Sequence, residues 1–217
     1  MLAKVVVVVG AGPGLGEAVA ARFARESYVP ALLARDPERL AALADEVGGG
    51  ARPFVVDATD EAALRSTLAR VADELGPPEV LVFNLSMTVL GTPTEVPVAD
   101  VDRGLHVGLL PALVSLQAVA PAMRADGSGT VLMTGSGVGV KPWVGGVGLG
   151  LQKAGLRSLA IAAAQELAPD GVHVATVTIH GTMKPGTAFD PGLIAEHYWR
   201  LHAQPPDEWE TEVAYRG

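Results

Sequence analysis

Lys153 is the only charged residue between Lys141 and Arg157, set in the glycine and aliphatic run GLGLQKAG. A lone ammonium in such surroundings either snorkels to solvent or serves chemistry with partners elsewhere in the chain. A second group of residues suggests what that chemistry is. Gly10, Gly12, Gly14 and Gly16 punctuate VVVVVGAGPGLGEAVAARF, between a β-branched run and a helical pattern that opens at Leu15. A turn there needs residues without Cβ, for positive φ and for close approach of a phosphate to backbone. The helix N-terminus adds unpaired N–H groups and the positive end of a dipole, which suits a pyrophosphate. Its strand–turn–helix setting lifts the GxGxxG spacing above a chance match. The glycines alone do not name the ligand, because a structural turn uses the same residues and S-adenosylmethionine enzymes share such turns.

The end of the next β-branched run narrows the choice. In ALLARDPERL, Ala34 stands where an NAD-selective site keeps an acid for the ribose hydroxyls, and Arg35 follows. A guanidinium there pairs with a 2′-phosphate, which favours NADP(H) while leaving NAD open; as a solvated surface charge it would carry no such meaning. Asp36 and Pro37 read as the cap and first residue of the following helix.

Other chemistries are set aside by composition. The chain has no cysteine, which excludes disulfides, thiolate nucleophiles and cysteine-ligated metal. His106, His173, His180, His197 and His202 form no HExxH pair, so no metal site is expected. A formal net charge of −8 argues against nucleic acid, whose phosphates need clustered Lys and Arg. The opening MLAKVVVVVG is too short an apolar run for a secretory leader, and no segment offers the roughly 18 uninterrupted apolar residues of a membrane span. The expectation is a cytoplasmic protein with a small-molecule substrate and no membrane partner.

The elements that must position these residues follow from periodicity. Short β-branched runs (KVVVVV, VPALLA, RPFVV, EVLVF, TVLMT, VHVATVTI and a weaker WETEVAY) alternate with helical patterns. Near-continuous apolar strands imply a sheet buried on both faces, so the fold class is α/β: a doubly wound, mostly parallel, seven-stranded sheet with helices on both faces. At 217 residues with 49% hydrophobic side chains, one domain over 1–217 is expected. Two longer helices are expected at about 98–124 and 149–168. The small-residue run LAIAAAQELA in the second suits close approach of another helix, either within the molecule or in a homodimer or homotetramer.

In order and separation, these segments resemble the short-chain dehydrogenase/reductase family, from the glycine turn to nearly the last residue. GAGPGLG represents the family's glycine turn, and Asp57 with Ala58 in VVDATD its adenine-contacting acid. FNLS represents the motif after the fourth strand, with Asn84 retained and Leu85 and Ser86 in place of Ala and Gly. GSGTVLMTGSGVG carries Ser136 at the family serine, and QKAGLRSLAIAAAQELAPDGVHVATV fixes Lys153 as the family lysine. The resemblance implies a Rossmann fold, a nicotinamide cofactor and hydride transfer. It also implies that Lys153 bonds the nicotinamide ribose and that Ser136 holds a substrate oxygen, though a Gly-rich loop also carries structural serines.

The departures fall on the chemistry. The family tyrosine, four residues before the lysine, is Leu149, and the thirteen-residue separation from Ser136 confirms the register. The helix asparagine position is Gly108, and the family's Pro-Gly after the sixth strand is His180-Gly181. Leucine neither donates nor accepts a proton, and general acid–base assistance contributes about 10²–10⁴-fold. His180, an imidazole at a strand end on the ligand side, is the best substitute; His106 and Tyr198 are weaker. The region at about 181–207 is expected to close over the substrate. Met183 is expected near the cofactor and, with Trp143 and Phe189, either in an apolar pocket or in ordinary packing. An atypical oxidoreductase acting on an unidentified carbonyl compound or alcohol is the leading reading; a non-catalytic dinucleotide-binding sensor or assembly protein is the alternative.

Overall fold

A computed structural model describes residues 3–217. Five consecutive valines build the centre of the molecule. In β1 (Lys4–Val9) they are all fully buried, with alternate residues facing opposite layers. Val5, Val7 and Val9 meet α3 (Glu61–Leu75), α5 (Leu110–Asp126) and α6 (Val147–Leu167). Val6 and Val8 meet α1 (Leu15–Ala24), α2 (Pro37–Val47) and α7 (Pro191–His202). A strand covered on both faces needs apolar side chains at every position, and β-branched ones fit the pleat.

Six further strands complete the sheet: β2 (Tyr28–Ala34), β3 (Arg52–Val55), β4 (Val80–Phe83), β5 (Gly129–Ser136), β6 (Val172–Ile179) and β7 (Glu212–Tyr215). Their order is β3-β2-β1-β4-β5-β6-β7, and every pairing is parallel. The weak WETEVAY run is the edge strand β7. The connections after β1 and β4 leave in opposite directions at the β1–β4 pair, where open α/β sheets bind their ligands.

Two expectations change. The helix expected at 98–124 is two helices, α4 (Val98–Gly108) and α5, broken at Leu109 with φ −132° and ψ −58°. Pro111 explains the break: without an N–H it cannot bond Val107 O and its ring crowds that carbonyl, so it sits in the first turn of a new helix instead of continuing the old one. Val98–Asp126 has the length and composition of a membrane-crossing helix, but it is divided at this break and α5 packs against α3 and the sheet. The helix of the 181–207 segment also differs from a closing lid. Asp190 caps α7 by accepting from Gly192 N at 2.8 Å, and the helix then packs on α1. Trp199 meets Phe23 edge-on at 5.4 Å, and Arg22 bonds Glu196 at 2.7 Å. Only the loop at 180–190 stays at the carboxyl ends of the strands.

Candidate functional site

A cavity of about 550 Å³ opens at the β1–β4 crevice. Four strand ends wall it: Gly10 and Gly12 after β1, Arg35 after β2, Asp57 and Ala58 after β3, and Leu85 and Ser86 after β4. Helix α2 lines one side with Arg39, Leu40, Leu43 and Glu46, and Val107 of α4 also contributes.

The glycines do separate jobs. Gly14, the residue before α1, has φ of 101°, a conformation that L side chains rarely adopt. A Cβ at Gly12 would meet nothing within 4 Å, so bare backbone faces the open cavity there. A Cβ at Gly16 would stand 2.7 Å from Gly10 O, so the helix rests directly on the turn. Among the described residues no side chain caps α1, which leaves first-turn N–H groups for an anion. Leu15 is buried in the core and contributes backbone alone.

Asp57 is exposed, with Oδ1 accepting from Thr59 N at 3.0 Å and Thr59 Oγ1 at 2.8 Å. These bonds, with the Arg35 charge a smaller cause, hold its carboxyl below the usual range. It is ionised at neutral pH, and Oδ2 is left to accept from an amino group. Arg39 is a wall residue that the sequence reading passes over. It sits in the first turn of α2, largely exposed, with a loose 3.5 Å contact to Asp36. The available signal was two arginines flanking one helix start.

Asn84 is corrected from a ligand contact to a brace. Its Nδ2 donates to Gly10 O at 3.2 Å, and its Oδ1 accepts from Thr134 Oγ1 at 2.9 Å. With its proton given to Asn84, the Thr134 hydroxyl accepts from the fully buried Tyr198 at 2.7 Å. The amide is spent on the shape of the glycine turn.

Lys153 does not snorkel. It is 5% exposed on α6, and Nζ donates to Thr134 O at 2.8 Å and Leu85 O at 3.5 Å. Burial without a carboxylate partner among the described residues pulls its pKa down to about 8. The bond to Leu85 places the ammonium behind the cavity wall. Leu149 lies one turn earlier on the same helix, and its N–H donates to Val89 O at 3.1 Å. Ser136 ends β5, half-buried.

The remaining candidates do not gather around this cavity. His180 is half-buried, and a Cβ on Gly137 would fall 2.7 Å from its Nδ1, so the ring lies against that loop and lines neither cavity. Met183 is exposed and also lines neither. Phe189 packs over Gly181 and meets Tyr215 edge-on at 5.6 Å. Of the three expected pocket residues, Trp143, Met183 and Phe189, Trp143 alone lines a second, apolar cavity of about 410 Å³ beside α6. His106 is exposed and bonds Asp102 O, and Tyr198 is core.

Similarity to known proteins follows the same outline. A family model described as short chain dehydrogenase matches residues 4–188. The hydroxy(phenyl)methylsuccinyl-CoA dehydrogenase subunit BbsC of Thauera aromatica is 35% identical over 81% of this chain and 71% of its own length. An NADP-dependent 3-hydroxy acid dehydrogenase of Salmonella typhi is 28% identical over 88% and 72%. A metagenomic short-chain oxidoreductase solved in complex with NADP superposes with a TM-score of 0.89 at 30% identity, covering 98% of this chain and 97% of that one.

The buried ammonium has a stability signature. Its folded pKa of about 8 lies below its ordinary value of 10.5, so the unfolded chain holds the proton more tightly. Stability therefore rises with pH from about 8 towards 10, and the charged form costs on the order of 3 kcal/mol at pH 7. Lys153→Met should be more stable than the parent to urea at pH 7, and the difference should shrink by pH 9.5. A variant that is less stable at pH 7, with the parent's pH dependence, contradicts this assignment.

Proposed function

This chain belongs to the short-chain dehydrogenase family, and from that premise we propose that it binds NADP(H) and acts as an oxidoreductase on a carbonyl compound or alcohol. The crevice cavity carries the reading. Bare backbone at Gly12 and the uncapped start of α1 suit a pyrophosphate, Asp57 and Ala58 suit adenine, and Arg35 with Arg39 suits a 2′-phosphate. The NADP in the metagenomic neighbour and the NADP-dependence named for the Salmonella relative support it. When bound, the nicotinamide supplies or accepts hydride.

The chain's own residues then divide the remaining work unevenly. By resemblance to the family, Lys153, tied behind Leu85, takes the ribose hydroxyls and Ser136 a substrate oxygen, although neither side chain lines either cavity. Leu149 occupies the position from which a proton would come, so the site lacks its own general acid and solvent must supply one. His180 does not fill the role well, because its ring lies on Gly137 outside both cavities. The second reading, a dinucleotide-binding sensor or assembly protein without catalysis, is favoured by that same leucine. Exposed Leu110 and Leu113 on α5 and Leu151 on α6 further support self-association through these helices, as a homodimer or homotetramer. Light scattering at micromolar concentration should report a dimer or tetramer; a stable monomer removes this part.

By calorimetry, NADPH should bind more tightly than NADH. Arg35→Ala and Arg39→Ala should each weaken NADPH about tenfold and leave NADH nearly unchanged. Equal affinities for the two nucleotides in the parent would remove the 2′-phosphate assignment.

Leu149→Tyr should raise NADPH-dependent reduction of a ketone and aldehyde panel at least about tenfold, by restoring a donor whose pKa the Lys153 charge lowers. Variants are compared at matched fold and NADPH affinity. A folded, NADPH-binding tyrosine variant that stays inactive while the parent turns over would misplace the reacting centre. Activity in the variant over a silent parent supports the non-catalytic reading of the natural chain.

A further inference from the structure

Three residues of α6 grip one extended segment. Leu85, Met87 and Val89 alternate along the stretch after β4, and each is bonded to the helix: Leu85 O by Lys153 Nζ, Met87 by Gln152, and Val89 O by Leu149 N. The middle contact is the most demanding. Gln152 is fully buried, yet it carries a polar amide on a core face. Its Oε1 accepts from Met87 N at 3.1 Å, and its Nε2 donates to Met87 O at 2.8 Å. Nε2 also reaches Gly148 O at 3.3 Å. Among the described residues, neither polar group of Met87 has a backbone partner, so this one side chain supplies both.

The amide fits a slot that only glycine leaves open. A Cβ at Gly104 would fall 2.6 Å from Nε2, and a Cβ at Gly108 would fall 2.2 Å from Oε1. These glycines are one turn apart on α4, both buried, and both weaken helix propensity where they stand. Gly108 is thus more than an absent asparagine: it makes room for an amide that arrives from α6. Leu85 and Ser86, which immediately precede the gripped peptide, are the inner wall of the cavity.

We propose that Gln152 is a positioning residue for NADP(H): by pairing both polar groups of Met87 through the Gly104/Gly108 slot, it holds Leu85 and Ser86 where the nucleotide needs them. The proposal rests on the nucleotide reading above. Gln152 lines neither cavity, so it acts on the cofactor only through the 85–89 segment.

Two isosteric substitutions test it. Gln152→Met keeps the volume and removes both hydrogen bonds. Hydrogen exchange at the Met87 amide, measured without nucleotide, should speed up at least about tenfold, and the NADPH Kd should rise about tenfold. Gln152→Glu supplies a pH readout that a purely structural role would not move. The protonated acid accepts from Met87 N and donates to Met87 O, whereas the carboxylate cannot donate. Its Kd divided by the parent's should lie near one at pH 6 and climb by pH 8.5. Should Gln152→Met fold poorly, Gln152→Glu at pH 6 still carries the comparison. Gln152→Met that binds NADPH within twofold of the parent overturns the proposal, as does Gln152→Glu weakened equally at both pH values. A parent that does not bind NADPH fails the nucleotide reading instead, and Met87 exchange in the variants then decides whether Gln152 holds the segment.

Discussion

Much of the site depends on where one buried ammonium is tied. Lys153 Nζ bonds Thr134 O on β5 and Leu85 O just beyond β4, which joins two strand ends to α6 at the inner edge of the crevice. Thr134 extends the connection through its hydroxyl to Asn84, and Asn84 to Gly10 O in the glycine turn. One chain of polar contacts thus runs from α6 to the start of α1. A charge buried on carbonyls alone is costly, which is why its pKa falls to about 8.

Around this point the nucleotide side and the proton-transfer side of the site are decoupled. The glycine turn, Arg35, Asp57 and Ala58 form a coherent wall, and each has a polar or steric reason to face a dinucleotide. Position 149 is apolar, and the space beside α4 is occupied by Gln152. Helix α6 retains its hold on the backbone after β4 while presenting no proton donor from that position. The two proposed readings, oxidoreductase and non-catalytic nucleotide binder, rely on the same wall.

What the sequence shows is governed by period and local chemistry. The valine run of β1 announced a strand buried on both faces, and the glycine spacing before Leu15 announced the turn, because both are local consequences of backbone geometry. The break at Leu109 was also local, written in Pro111, but the apolar periodicity of 98–124 runs through it and concealed it. Asn84, Gln152 and Gly108 were harder to read for another reason. A mid-helix glutamine ordinarily lies on a solvated face, and a glycine aligned with a polar family position registers only as a loss. Their roles exist only once α4, α6 and the 85–89 segment are packed together. Arg39 is intermediate: its helix was foreseen, but its place in the cavity depends on how α2 leans against the strand ends.

The most direct measurement is a crystal structure of the full chain with NADP⁺. The account predicts the pyrophosphate over Gly12 at the start of α1, the 2′-phosphate between Arg35 and Arg39, and Lys153 within hydrogen-bond distance of the nicotinamide ribose. No side chain that can donate a proton should lie beside Leu149 near the nicotinamide. Nucleotide bound elsewhere, or bound here with a histidine or tyrosine hydroxyl at the substrate position, would contradict it.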